Sequence, residues 1–304
     1  MRELTIISGK GGTGKTSITA SIASLAENRV VIDADVDAAN LFLTLEHKLI
    51  EKEPFQGGHK ARIDIDSCVG CAECLNRCQF DAVFEKLDQD KKPTGKFSID
   101  PISCEGCGVC AHFCPTGAIL FERQICGEKY ISTTANGPMV HARLGIAEEN
   151  SGLLVSQLRQ RAREIAKKQK IPLIITDGPP GIGCPVIASI SNADALLVVT
   201  EPTISGMHDM QRVIRLGRQM NAAIYLCINK ADLNIEASEK IKEFCNHNNI
   251  RFAGEIPFDR AVVESMKMGQ SLVTYSPDSE ASKAVKLVWK NVVEFMGDLK
   301  ERII

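Results

Sequence analysis

Along most of this chain, short apolar runs alternate with longer stretches in which apolar residues recur every three or four positions. Leu4–Ile7 and Val30–Ile32 are runs of the first kind, and Thr16–Glu27 is a stretch of the second. After a break the pattern resumes with a predicted helix around Leu153–Lys168 and strands at Leu173–Thr176 and Ala195–Thr200. A helix near Met207–Met220, a strand at Ala223–Ile228, a helix near Glu236–Cys245, a short strand near Phe252–Ile256 and a helix near Lys283–Phe295 complete it. Such alternation predicts an α/β fold: right-handed crossovers, a mainly parallel sheet and helices on both faces. The last stretch, Leu287–Ile304, carries an apolar stripe at Val288, Val292, Phe295, Leu299 and Ile303. Its basic residues are offset by Glu294, Asp298 and Glu301, which predicts a helix packed on the domain rather than a membrane anchor.

The break holds an internal repeat. Ile63-Asp64 stands before Cys68 as Ile99-Asp100 stands before Cys104, and Ala82-Val83 matches Ala118-Ile119 at the same offset of 36 residues. Each unit reads as a strand, a cysteine-rich loop, a helical turn and a strand, a duplicated α+β module whose halves complete one another. The expected organisation is therefore a discontinuous domain, 1–60 and 123–304, interrupted by a small inserted domain at 61–122. Between the halves, polar Leu87–Lys96 with Pro93 reads as a loop, and Ser132–Gly152 yields no element.

Composition narrows the function. The 304 residues carry 36 basic and 38 acidic side chains, a net charge of −2, which offers no bulk attraction to nucleic acid. No apolar run is long enough to span a bilayer, and Met1–Lys10 reads as a first strand rather than an export signal, so a cytoplasmic location is expected. Of the 12 cysteines, 8 fall between Cys68 and Cys114. Bunching of that kind points to metal rather than to disulfides.

Gly9-Lys10-Gly11-Gly12-Thr13-Gly14-Lys15-Thr16 follows a strand and opens a helix, as a phosphate-binding loop requires. Its glycines let successive backbone N–H groups converge on phosphate oxygens, and the helix N-terminus adds positive potential. Lys15 is expected at the outer phosphates and the Thr16 hydroxyl on Mg²⁺. Lys10 adds a second cation, acting on its own nucleotide or on one held by a partner chain. Val31-Ile-Asp33-Ala-Asp35-Val-Asp37 and Ile175-Thr-Asp177 put carboxylates at the C-terminal ends of strands, where parallel sheets bind ligands. One such carboxylate serves Mg²⁺ and another orients water. Gly178-Pro-Pro-Gly-Ile-Gly183 can turn sharply and sense a γ-phosphate.

Together these segments resemble the MinD/ParA family of deviant Walker-A ATPases, whose relatives include Mrp-type iron–sulfur carriers and the nitrogenase iron protein. The resemblance spans nearly all of 1–60 and 123–304. It implies an ATP-sandwich dimer, of this chain with itself or with a paralogue, in which Lys10 touches the partner's phosphates. It also implies that Asp35 positions the hydrolytic water and that Asp177 is the carboxylate on the Mg²⁺ side. Asn229-Lys230-Ala231-Asp232 fits the pattern that reads guanine in GTPases; the resemblance implies adenine instead, with Asn229 contacting the base.

The cysteines form two copies of one run, Cys68-x2-Cys71-x2-Cys74-x3-Cys78 and Cys104-x2-Cys107-x2-Cys110-x3-Cys114-Pro115. Three closely spaced thiolates suit three corners of a cubane, and a fourth must come from elsewhere. Zinc prefers a tetrahedral four-thiolate site from two separate C-x2-C pairs, whereas each run here chains two C-x2-C steps and adds a further cysteine; clusters with a purely structural role stay open. The runs resemble a two-cluster bacterial ferredoxin. That resemblance implies two [4Fe-4S] clusters, one on Cys68, Cys71, Cys74 and Cys114, the other on Cys104, Cys107, Cys110 and Cys78. Gln79 stands where the first run is expected to have proline. Cys227 and Cys245 read as core. Cys184 lies where the nitrogenase iron protein carries a cluster ligand shared across its dimer, with Cys126 a companion for such a bridging site.

These features predict an ATP-hydrolysing iron–sulfur protein that couples nucleotide state to electron transfer or to metallocofactor assembly on a client metalloprotein or redox partner. An Mrp-like carrier of clusters is the alternative, though no C-x-x-C follows Cys110. A MinD-like positioning ATPase with a redox-sensing insert is the third reading.

Overall fold

The computed structural model describes residues 1–145 and 151–298. In chain order the first elements are β1 (Arg2–Ser8), α1 (Lys15–Leu25), β2 (Arg29–Asp33) and the long β3 (His47–Ile63). Next come α2 (Glu73–Arg77), β4 (Val83–Leu87), β5 (Pro93–Ile99), α3 (Val109–His112), β6 (Ile119–Thr134) and β7 (Gly137–Leu144). The chain continues with α4 (Ser151–Gln169), β8 (Leu173–Pro180), α5 (Cys184–Ile190), β9 (Ala195–Thr200), α6 (Ile204–Gln219) and β10 (Ala223–Asn229). It closes with α7 (Ile235–His247), β11 (Arg251–Ile256), α8 (Ala261–Lys267), α9 (Leu272–Tyr275) and α10 (Glu280–Asp298). The described parts of Met1–Glu53, Lys129–Arg143 and Ser151–Ile304 form one compact unit, and those of Pro54–Glu128 and Leu144–Asn150 a second. The chain passes from the first to the second within β3 and returns within β6.

The first unit is built on a sheet in the order β11-β10-β9-β1-β8-β2-β7, followed by β6 and β3. From β11 to β7 every pairing is parallel. Both faces are covered, and the period-two pleat sorts the side chains. On β9, Leu197 and Val199 join a core with Ile18 and Ile22 of α1 and Val285, Val288 and Val292 of α10. Leu196 and Val198 join another with Val186 of α5, Met210 and Val213 of α6 and Ile241 of α7. Strands buried on both faces have no polar side to alternate with, hence their continuous apolar runs. Cys227 and Cys245 are buried in these layers. Val288 and Val292 of the terminal stripe are fully buried and Phe295 packs beside them, whereas Leu299 and Ile303 lie outside the described residues.

Helix starts follow local chemistry. The Thr203 hydroxyl accepts the Gly206 N–H at the head of α6, and the Asn234 side chain accepts the Ala237 N–H at the head of α7. No helix among the described residues is long and apolar enough to cross a membrane.

The second unit pairs β4 with β5 antiparallel, Val83 opposite Ile99. Pro93 is therefore the first residue of a strand, not part of a loop, and the turn lies at 88–92. Proline is tolerated there because a strand's first residue need not donate to the ladder. Its small core contains Ala61, Ile63, Cys74, Ala82, Val83, Phe97, Cys104 and Ile119.

Candidate functional site

The phosphate-loop segment connects β1 to α1 and borders a cleft of about 610 Å³ at the C-terminal ends of the parallel strands. Gly12 and Gly14 sit at φ +81° and +83°, a conformation that side chains with a Cβ rarely adopt. A side chain at Gly14 would also strike the Asn229 amide, whose Nδ2 donates to the Thr13 carbonyl at 2.7 Å. Asn229 thus holds the loop closed from the end of β10. Thr13 is buried, and its Oγ1 has no hydrogen-bond partner. A buried, unpartnered hydroxyl in a glycine-rich loop that lines the cleft fits a polar ligand there.

Lys15 is buried, donates to Asp177 Oδ1 at 3.0 Å and lies 3.5 Å from Asp35 Oδ2. Thr16 Oγ1 donates to Asp177 Oδ2 at 2.8 Å. Burial opposes the Lys15 charge, but Asp177 and Asp35 hold its ammonium above the ordinary value. Burial raises the Asp35 carboxyl against the pull of Lys15. Asp33 is fully buried and raised well above the carboxylate range, first by burial and then by the Asp177 charge. Its two oxygens accept the Leu41 N–H at 3.0 Å and the Asp35 N–H at 3.3 Å, so Asp33 shapes the turn that presents Asp35. Thr19 Oγ1, 2.8 Å from Asp177 Oδ1, braces the same carboxylate from one turn further along α1. Sequence reasoning gave neither Asp33 nor Thr19 a role. For Thr19 the available signal was its four-residue step from Lys15, one helical turn on the same face. Lys10 is exposed at the start of the loop.

At the other end of the cleft lie Pro257, Phe258, Val262, Val263 and Met266, an apolar wall suited to a base. Asp232, the carboxylate of the guanine-reading pattern, accepts the Phe258 N–H at 2.6 Å through one oxygen. Lys230 is tied to Glu201 at 2.5 Å.

In the second unit the eight clustered cysteines separate into two sets. Cys68, Cys71, Cys74 and Cys114 line one cavity, and Cys78, Cys104, Cys107 and Cys110 line another. Each cavity takes three thiols from one run and the fourth from the other. Tight left-handed turns at Gly70 and Gly106 let each loop fold around its cavity. Burial, and then the neighbouring cysteines, push the Cys74 and Cys110 thiols up. Cys114 is held below its usual value: partial burial acts against this, while the Thr116 hydroxyl and the backbone N–H groups of 116–118 outweigh it. Among the described residues no three His, Cys, Asp or Glu side chains converge as a single ion requires. Four thiols spread around a cavity suit a polynuclear cluster, whose corners are separate iron atoms. Cys126 is buried in this unit, its Sγ donating to the Gln124 carbonyl at 3.6 Å. Cys184 is exposed at the first residue of α5 in the other unit.

Residues 4–273 match the family model described as the CobQ/CobB/MinD/ParA nucleotide binding domain. An uncharacterized protein of Methanocaldococcus jannaschii is 33% identical over 97% of each chain. The iron-sulfur cluster carrier protein of Pyrococcus abyssi is 23% identical over 98% of this chain and 88% of its own. Among solved structures, the septum site-determining protein MinD of Pyrococcus horikoshii, complexed with Mg-ADP, matches over 97% of each chain with a TM-score of 0.57 at 18% identity. At that identity the likeness speaks for the fold.

Proposed function

Given that the chain belongs to the CobQ/CobB/MinD/ParA nucleotide-binding family, we propose that it is an ATP-hydrolysing iron–sulfur protein. Its nucleotide state would control electron delivery, or metallocofactor assembly, on a client protein. One observation carries the reading: eight cysteines stand as two crossed fours around separate cavities, in a unit threaded into a phosphate-loop chain. The proposed ligand sets are Cys68, Cys71, Cys74 and Cys114, and Cys104, Cys107, Cys110 and Cys78. A [4Fe-4S] cluster at each would supply one-electron storage.

In the cleft, Lys15 pairs with the carboxylates of Asp177 and Asp35. A triphosphate would replace them, freeing Asp35 to orient water for in-line attack on the γ-phosphorus. Lys15, and Lys10 from either copy of an ATP-sandwich dimer, would offset the charge that develops. Thr16 and Asp177, 2.8 Å apart, would hold Mg²⁺, which would supply positive charge to the phosphates. The engagement of Asp232 with the Phe258 amide supports adenine over guanine, because reading guanine takes both carboxylate oxygens.

Anaerobic purification with iron and sulfide quantitation, and optical and paramagnetic resonance spectra with and without ATP, tests the proposal. Cluster spectra or potentials that shift between ADP and a non-hydrolysable ATP analogue support it; colourless, iron-free protein overturns it. A carrier role is a second reading. It is favoured by the exposure of Cys71 and Cys107, one thiol in each set, and by the name of the Pyrococcus abyssi relative. Transfer of labelled iron to an apo-ferredoxin that depends on ATP would select it.

A further inference from the structure

Two lysines of the second unit follow the repeat as strictly as the cysteines do. Lys60 and Lys96 stand 36 residues apart, the offset that also relates Cys68 to Cys104. Lys60 lies near the end of β3 and Lys96 within β5. Lys60 Nζ donates to the carbonyl oxygen of Cys104 at 3.0 Å. Lys96 Nζ donates to the carbonyl oxygen of Cys68, and also to that of Ile65 at 3.3 Å. Each lysine therefore reaches out of its own repeat and clamps the first cysteine of the other.

The backbone is arranged for this exchange. A side chain at Gly70 would run into the carbonyl oxygen of Gly95, and one at Gly106 into that of His59. Those two carbonyls belong to the residues immediately before Lys96 and Lys60. So the strand that carries each lysine lies against the opposite cysteine loop at a glycine, and the lysine closes on the loop beside it. The Asp64 N–H donates to Ala118 O and the Asp100 N–H to Ala82 O, both at 2.8 Å, repeating the exchange on the far side of each half.

A lysine needed only for solubility keeps its ammonium in water. Both of these are part-buried and folded onto neutral carbonyl oxygens, which satisfy N–H donors without neutralising the ammonium, although the exposed Asp100 carboxylate also feels the charge of Lys60. Resting on the iron–sulfur reading above, we infer that Lys60 and Lys96 are positioning residues that fix a positive charge at the opposite repeat's cysteine loop. In doing so they favour the reduced form of whatever those cysteines hold. Lys96 serves the set Cys68, Cys71, Cys74 and Cys114; Lys60 serves Cys78, Cys104, Cys107 and Cys110. Reduction adds one electron to an already anionic four-thiolate group, so a fixed cation nearby raises its potential.

The test uses the full chain purified without oxygen, as wild type and as Lys60→Met, Lys96→Met, Lys60→Arg and Lys96→Arg. Iron and sulfide are quantified, and both midpoint potentials are read by dithionite titration followed by paramagnetic resonance. Lys96→Met is expected to lower one potential and leave the other. Lys60→Met is expected to do the converse. Each shift is expected to be at least a tenfold loss in the reduced-to-oxidised ratio, about 59 mV for a one-electron couple. The arginine variants, which keep the charge, are expected to retain both wild-type values. Fully loaded methionine variants with unchanged potentials overturn the inference. Where a methionine variant loses its iron, the arginine variant decides. Loading at the wild-type potential upholds the role of charge, and failure of both substitutions shows a packing role and overturns it. Wild-type protein without iron is a separate outcome that removes the iron–sulfur reading itself.

Discussion

Replacing Lys15 with methionine separates the cost of an unpaired buried charge from the loss of nucleotide binding. Methionine keeps an unbranched apolar stem as far as the ε position and removes the ammonium. That ammonium is 6% exposed and pairs with Asp177, 0% exposed, at 3.0 Å and with Asp35 at 3.5 Å. Removing one member of a buried pair costs about 3–5 kcal/mol, because the remaining charge stays desolvated. Three carboxyl groups would then face one another, with Asp33 and Asp35 already raised by burial. A carboxyl raised in the folded state binds its proton more tightly there than when unfolded, so folding is favoured below its unfolded pKa and disfavoured above it. The penalty of the variant is therefore expected in full at neutral pH and to shrink as the pH falls toward 4. The single tryptophan, Trp289, packs partly buried against the core that α1 and α10 share, and reports unfolding of the first unit. Urea unfolding followed at Trp289 from pH 5 to 8 measures the effect, with ATP binding by filtration and iron content read on the same samples. Equal stability of variant and wild type at neutral pH would refute the electrostatic argument. Loss of iron together with nucleotide binding would refute the independence of the two sites.

His141 stacks between Phe42 and Tyr130, with ring centroids at 5.7 and 5.0 Å, and its pKa is lowered to about 4 by burial and then by His47. Its neutral form therefore contributes stability that is complete above pH 6.5 and is lost as the pH falls toward 4, by about 3 kcal/mol at most. His141→Phe is expected to remove that slope from the unfolding free energy; an unchanged slope would place the titration elsewhere. Gly14→Ala forces φ +83° on a residue with a Cβ and drives it into Asn229, so ATP affinity should fall at least tenfold while iron content stays. Equilibrium dialysis and iron assay on one preparation check both. Gly106→Ala, at φ +63° and against the His59 carbonyl, is expected to cost the cluster proposed for Cys78, Cys104, Cys107 and Cys110 before the other. Half the wild-type iron with nucleotide binding intact is the expected result, and full iron would count against the loop geometry.

The parallel sheet was legible in the sequence because buried strands must be apolar on both sides, as β9 is from Ala195 to Thr200. What escaped was the strands that need no such pattern. β3 is mostly exposed over its first half and carries Pro54, Gly57 and Gly58, and at the end of the sheet nothing requires alternation there. β6 and β7 fall in or beside the stretch that periodicity left without an element; β7 is buried at Met139–Ala142 but shows its polar residues, His141 among them, in the same row. The phosphate loop was legible because its chemistry is local. Asp33 was not, since nothing distinguishes its carboxylate from that of Asp35 until the Leu41 N–H is seen on its oxygen.

That hydrogen bond bears on how the two chemistries can share one chain. β2 delivers Asp33 and Asp35 to the phosphate end of the cleft, and Asp33 fastens the next turn through Leu41. The chain then enters β3 at His47, the strand that leads into the cysteine-bearing unit. On its return it pairs through β7 with β2 itself, Val31 opposite Met139 and Ile32 opposite Val140. Both the outgoing and the returning connections are thus anchored within a few residues of carboxylates that surround Lys15. A triphosphate that takes Lys15 away from Asp35 and Asp177 changes the electrostatic reason for the position of that turn. It does so at the one strand of the sheet that both connections touch. Among the described residues, the other strand end with a carboxylate paired to Lys15 is that of β8, which carries Asp177 and lies beside β2 in the sheet.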